Sequence, residues 1–135
     1  MDRPCLRADS RSGGEDSAIA KNWLGPFAGR SGTIFQWHGE TFSLPTGATR
    51  LLANGYCANQ MFALGPHLGM QCHVEMTEDM IRQWCRDGAG EIAASTSPAV
   101  QSPDAITADI GQRVAALNAV ADRIYQRWIE GLQRP

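Results

Sequence analysis

Between Pro103 and Leu132, apolar side chains recur at Ile106, Ile110, Val114, Leu117, Ala121, Ile124, Trp128 and Leu132, always three or four residues apart. That spacing gathers them on one face of a helix and leaves the polar residues on the other. Ser102-Pro103-Asp104 supplies the start: a serine able to cap, proline at the first helical position and an acid behind it. An apolar stripe this long must be covered. Short extended runs upstream offer the cover, and one long helix on four short strands would mask a single face of their sheet. The chain therefore reads as half of an α/β sandwich.

Thr33-Ile34-Phe35-Gln36-Trp37 is β-branched and aromatic, hence a strand, and His38-Gly39 ends it. Leu44-Pro45-Thr46-Gly47 turns the chain into a second strand, Ala48 to Ala53, and Asn54-Gly55 turns it again. Gln60-Met61-Phe62-Ala63-Leu64 is the third, and Gly65-Pro66 leads into the fourth, Leu68 to Val74. The runs succeed one another too closely for helical crossovers, so neighbours should pair largely antiparallel. Thr77 then caps a helix with Glu78 and Asp79 in its first turn. Met80, Ile81, Trp84 and Cys85 mark its apolar face, and it ends near Asp87-Gly88. Residues 88–102 are small and polar and read as a loop. Residues 18–30 hold Trp23, Leu24, Pro26 and Phe27 between glycines and read as a loop packed on the sheet. Residues 1–17 show neither period, are rich in Arg, Asp, Ser and Gly, and are expected to be disordered or poorly packed.

Composition excludes several partners. The net charge is −2, and no basic run appears, which argues against tracking a nucleic-acid backbone. No stretch approaches the roughly 20 apolar residues that cross a membrane, and the first residues lack a hydrophobic signal core. Cys5, Cys57, Cys72 and Cys85 have no C-x-x-C spacing and lie in apolar contexts. Reduced thiols in a cytoplasmic protein are the expectation. His38, His67, His73 and the cysteines lack metal-ligand spacing, and no glycine-rich phosphate loop occurs, so neither a metal nor a cofactor is expected.

The chemistry-bearing candidates sit in Leu68-Gly69-Met70-Gln71-Cys72-His73-Val74-Glu75-Met76-Thr77. Side chains alternate along a strand, so His73 and Glu75 point the same way. A carboxylate beside an imidazole can fix its tautomer and orient it as a base. Spacing alone does not separate this from a polar pair at a strand end. Gly69-Met70-Gln71-Cys72-His73-Val74-Glu75-Met76-Thr77, however, resembles the G-x-Q-F-H-P-E-x-T signature of class I, triad-type glutamine amidotransferases. Phe35-Gln36-Trp37-His38-Gly39-Glu40-Thr41-Phe42 resembles the Q-W-H-G-D-T-F block of the branch similar to the glutaminase domain of GMP synthase. The resemblance runs from about Ile34 to about Leu132. Cys72, Val74 and Glu40 depart from it where the family has Phe, Pro and Asp.

The resemblance implies the C-terminal half of a flavodoxin-like three-layer α/β sandwich, with short mixed or antiparallel strands and a long C-terminal helix. It implies that His73 is the general base, that Glu75 orients it, and that Trp37, His38 and Gly39 help to hold the α-amino and carboxylate groups of glutamine. For His38 an ordinary exposed strand end is an equal reading. In the family, a cysteine attacks the glutamine amide, ammonia leaves for a synthetase partner or domain, and water hydrolyses the thioester to glutamate. That cysteine lies in G-x-C-x-G, which does not occur here. Cys5 sits in Arg3-Pro4-Cys5-Leu6-Arg7, without the glycines of a strained elbow. Cys72 should face away from His73 into the core, and Cys57 and Cys85 read as packing residues. Only about 35 residues precede the Q-W-H-G-like block, too few for the half-domain the family has there. The expectation is a truncated amidotransferase domain, inactive alone, or a chain whose true start lies upstream. The rivals are a non-enzymatic module that buries its open sheet face in a homodimer or partner, and a related gamma-glutamyl peptidase-type hydrolase.

Overall fold

The computed structural model describes residues 10–11 and 17–132 of the chain. Cys5 and most of the segment expected to lack order lie outside the described residues. Ser10–Arg11 (β1) pair antiparallel with Ser31–Gly32 (β2), with Ser10 opposite Gly32. The central sheet is formed by Thr49–Leu52 (β3), Met61–Leu64 (β4) and His67–Met70 (β5), adjacent in that order and antiparallel throughout. Leu64 pairs with His67, so Gly65 and Pro66 alone make the turn between β4 and β5. Gly65 has a φ of 58°, and the proline ring holds Pro66 at negative φ. This is the combination of a type II′ hairpin turn, whose twist suits the strands it joins. A register shift between Arg50 and Leu52 marks a bulge at Leu51, opposite Met61-Phe62.

Thr33–Trp37 does not form the expected ladder strand. Its only bridge joins Phe35 to His73, through the His73 N–H donating to the Phe35 carbonyl at 2.9 Å. Ile34, Phe35 and Gln36 are buried in succession rather than alternately. The segment is thus extended and enclosed on both faces, which explains why its apolar run looked like a strand.

Helices then cover the core. Ala18–Leu24 (α1) replaces the loop expected at 18–30: the Ser17 hydroxyl accepts the Ala20 N–H at 3.1 Å, and Gly25, at a φ of 55°, ends the helix. Ala20, Trp23 and Leu24, spaced for one helical face, are all buried. Glu78–Asp87 (α2) begins as expected, with Thr77 Oγ1 accepting the Met80 N–H at 3.3 Å. Ala89–Ala94 (α3) lies inside the expected loop, because the small residues there include four strong helix formers, Ala89, Glu91, Ala93 and Ala94, and Ile92 to pack on the core.

The long helix is interrupted. Pro103–Thr107 (α4) stops, Asp109 adopts a φ of 50°, and Ile110–Glu130 (α5) begins a new axis. Arg113 Nη1 donates to the Ala105 carbonyl at 2.9 Å, satisfying an end of α4 that the break exposes. Residues 107–109 at the break hold no glycine or proline, Gly111 falling inside α5, and Ile106 and Ile110 face the same core on either side, so the apolar period runs through it. Arg123 Nη2 and Arg127 Nε tie α5 to Asn22 of α1 at 2.7 and 2.9 Å. Leu51, Met61, Val74, Met76 and Ile124 are essentially inaccessible between helices and sheet. Each such side chain contributes about 1.5–3 kcal/mol of burial. The apolar stripe of α5 is buried as far as Ile124; Tyr125, Trp128, Ile129 and Leu132 are exposed.

Candidate active site

After β5 the chain keeps a strand's alternation without a ladder. Cys72, Val74 and Met76 are buried, while His73 is half-buried and Glu75 exposed. The sequence therefore sends its apolar side chains inward and brings His73 and Glu75 together on the outer side. Their contact is close: His73 Nδ1–H donates to Glu75 Oε1 at 2.7 Å. The second oxygen, Oε2, accepts the Val74 N–H at 3.0 Å. Among the described residues nothing bonds His73 Nε2, which is the nitrogen left to exchange a proton. For Glu75, burial pushes the carboxyl up, but the hydrogen bond from His73, the backbone N–H groups and the imidazole charge outweigh it. Its pKa falls below the ordinary 4.5.

Aromatic rings fix the imidazole from the inside. Trp84 of α2 meets His73 edge-to-face with centroids 5.0 Å apart, and Phe35 meets it at 6.1 Å. Trp84 also packs edge-to-face on Trp37 at 5.7 Å and on Phe35 at 5.9 Å. One ring thus links Trp37 to His73. In the sequence Trp84 marks only a helix face, and its four-residue offset from Met80 carries no sign of a role beside His73. Gly88 belongs to this arrangement, since a Cβ there would lie 2.3 Å from Trp37 Cζ2.

His38 turns elsewhere. Its Nδ1 lies 2.8 Å from the Glu40 carbonyl and its Nε2 lies 3.0 Å from Gln60 Oε1. Gly39, half-buried, follows in the same loop. Gln71 is a tie between segments: its Nε2 reaches the Asn59 carbonyl at 2.6 Å, Thr41 Oγ1 at 3.1 Å and Cys57 Sγ at 3.2 Å. Cys57 is consequently half-buried in a polar setting, not the apolar packing residue its sequence suggested. Its neighbour Thr41 lies within 3.3 Å of the thiol. Cys72 is a core thiol as expected: burial, assisted by the Glu75 charge, pushes its pKa up to about 12 against one backbone hydrogen bond. Burial likewise raises the Cys85 thiol, against Arg82 and Arg86.

A hollow lined by Phe35, Ile81, Ile106, Ile110, Val114 and Leu117 includes neither His73 nor Glu75, and its volume of about 30 Å³ would take one water. Among the described residues no three His, Cys, Asp or Glu side chains converge to hold a metal. No helix of the described residues is long and apolar enough to cross a membrane.

An antiparallel three-stranded sheet, a long helix that shares its core and a His–Glu pair at the exit of the last strand make an α/β chain, and its neighbours among solved structures give it the flavodoxin-like class. A glutamine amidotransferase from Methylobacillus flagellatus superposes with a TM-score of 0.88 and 37% identity, covering 100% of this chain and 56% of that one. A glutamine amidotransferase from Thermotoga maritima matches in fold, with a TM-score of 0.74, 22% identity, and coverage of 96% and 52%. No protein-family profile and no curated protein matches the chain. The chain is thus similar in fold to solved glutamine amidotransferases, and it spans about half the length of the solved chains it matches.

Proposed function

We propose that the chain carries the base side of a class I glutamine amidotransferase site, in the branch similar to the glutaminase domain of GMP synthase. His73 is the general base and Glu75 its orienting partner. With Nδ1–H committed to the carboxylate, the His73 Nε2 lone pair is the one available to take a thiol proton. The 2.7 Å contact is the observation that carries the reading. The resulting thiolate adds to the glutamine side-chain carbonyl carbon, and as the adduct collapses the amide nitrogen takes the proton from His73 and leaves as ammonia. Water then cleaves the thioester, giving glutamate and the free thiol. Trp37, His38 and Gly39 face the α-amino and carboxylate end of the substrate, and the ammonia passes to a synthetase partner or domain.

No G-x-C-x-G occurs in these 135 residues, Cys72 is a buried thiol held protonated, and Cys5 lies in a setting without glycines. The nucleophile therefore comes from outside this segment, and the oxyanion-stabilising backbone with it. A polypeptide of these residues alone releases no appreciable ammonia from glutamine, and Cys5→Ser changes nothing. Supplying a segment that carries G-x-C-x-G in cis or in trans restores turnover that His73→Ala abolishes. Robust Cys5-dependent turnover by the isolated chain would overturn this assignment of the nucleophile. Free thiols at Cys57, Cys72 and Cys85 suit a cytoplasmic setting.

A second reading has its own observation. Tyr125, Trp128, Ile129 and Leu132 continue the helix's apolar side beyond the core and are each 42–58% exposed. A chain acting as a non-enzymatic module would bury that end in a second copy or another protein. The mass in solution separates the two: a stable dimer that Trp128→Glu dissociates favours the module.

A further inference from the structure

The Glu40 carbonyl can only accept, so the 2.8 Å contact at His38 requires a proton on Nδ1. The other nitrogen, Nε2, faces Gln60 Oε1 at 3.0 Å. Oxygen against nitrogen is a hydrogen bond only if the ring is doubly protonated. That arrangement also leaves Gln60 Nε2 buried without an acceptor among the described residues. Turning the amide by half a turn removes the conflict. Its N–H then donates to the Nε2 lone pair of a neutral ring, and a buried carbonyl without a donor is tolerated better than a buried N–H without an acceptor.

Gln60 has no freedom to do otherwise. It is 0% exposed, and its backbone is held on both sides: its N–H donates to the Leu52 carbonyl at 3.0 Å, and its carbonyl accepts the Gln71 N–H at 3.1 Å. The side chain leaves the residue just before β4 and meets the His38 ring, whose other nitrogen closes on the Glu40 carbonyl. We propose that Gln60 is a positioning residue for Trp37-His38-Gly39: its amide holds His38 in the neutral Nδ1–H form, so both ring nitrogens are committed and the loop meets its ligand through backbone groups. The last clause rests on the amidotransferase reading; the assignment of the ring does not.

The test is the imidazole nitrogen spectrum of the whole chain labelled with ¹⁵N, without glutamine, at a pH where the ring is neutral. Wild-type His38 should show the Nδ1–H tautomer, the less favoured one for a free imidazole. Gln60→Leu should keep Nδ1–H and move the Nε2 resonance, since its donor is gone. Gln60→Glu should keep Nε2 protonated where the wild-type ring is neutral. The His73 resonances report whether each variant retains the neighbouring fold. An Nε2–H tautomer in wild type, or the same Nε2 shift in wild type and Gln60→Leu, overturns the proposal; if Gln60→Leu does not fold, wild type and Gln60→Glu still decide. Glutamine is then added. Backbone amide shifts at 37–39 with an unmoved His38 ring support the ligand clause, and their absence overturns that clause alone.

Discussion

Replacing Gly69 by alanine tests whether the family-like glycine is held by packing. A Cβ at Gly69 would stand 2.3 Å from Phe62 Cζ and 2.4 Å from Cε1, more than 1 Å inside ordinary contact. Gly69 and Phe62 are cross-strand partners in the β4–β5 ladder, and the Cδ1–Cε1–Cζ side of the ring occupies the space a Cβ would take. The ring cannot simply swing away, because Phe42 packs edge-to-face on it with centroids 5.1 Å apart. Gly69→Ala must therefore give up part of that aromatic contact or open the ladder. Overpacking of this kind costs about 1–3 kcal/mol. Against it stands a gain of about 0.4–1 kcal/mol, since alanine restricts the unfolded chain. The net expectation is a loss of about 1–2 kcal/mol, read as a fall of roughly 1 M in the urea midpoint. In a Phe62→Ala background the obstacle is gone, only the entropy gain remains, and the same substitution becomes neutral or stabilising. Urea unfolding of wild type, both single variants and the double variant, followed by circular dichroism, gives the coupling directly. If Gly69→Ala is as costly with alanine at 62 as with phenylalanine, the packing account is wrong.

The other perturbations probe the His73 environment. Glu75 has a depressed folded-state pKa, so its contribution to stability is present above the ordinary carboxylate value of 4.5 and is lost as pH falls through the lower folded value; Glu75→Gln should flatten this acid limb in melting temperatures measured below pH 5, and an unchanged limb would refute it. Trp84→Ala removes edge-to-face contacts with His73, Trp37 and Phe35, and should cost about 2–4 kcal/mol, whereas Trp84→Phe should keep the His73 ring resonances near their wild-type positions. Cys72, its pKa pushed up to about 12, should resist alkylation at pH 8 in the folded chain while half-buried Cys57 reacts, as peptide mass mapping would show; equal rates would contradict the burial. Asp109→Gly should be neutral or stabilising by up to about 1 kcal/mol in urea unfolding, because glycine adopts the left-handed φ of 50° without strain.

What was legible in the sequence was whatever depends on neighbours in the chain. Thr77 and Ser102 cap their helices because a cap needs only a side-chain oxygen and an N–H three residues on. The β4–β5 hairpin follows from Gly65-Pro66, and the facing of His73 and Glu75 from their separation of two. What stayed hidden depends on contacts between distant residues. Nothing local marks Asp109 as a break, because the apolar period passes through it; what holds the bend is Arg113 reaching back to Ala105. Nothing local tells Thr33–Trp37 that its neighbour would be a single residue, His73, instead of a ladder. Trp84 looked like any helix-face aromatic until α2 brought it against His73.

The same division bears on how far the family-like residues speak for chemistry. Of the block Gly69 to Thr77, Gly69 is accounted for by the Phe62 ring, Gln71 by its bonds to Asn59 and Thr41, Thr77 by the cap on α2, and Cys72, Val74 and Met76 by burial. These residues would be needed by the fold whether or not a reaction occurred beside them. His73 and Glu75 are different. They form a half-exposed hydrogen-bonded pair, which stabilises a fold by little, and the described residues satisfy only one nitrogen of the imidazole. A polar pair kept outside the core, braced by Trp84 and Phe35 and with one ring nitrogen unbonded among the described residues, is what packing alone does not explain. Those two side chains and the rings behind them, not the length of the matching motif, are what speak for a reaction at this site.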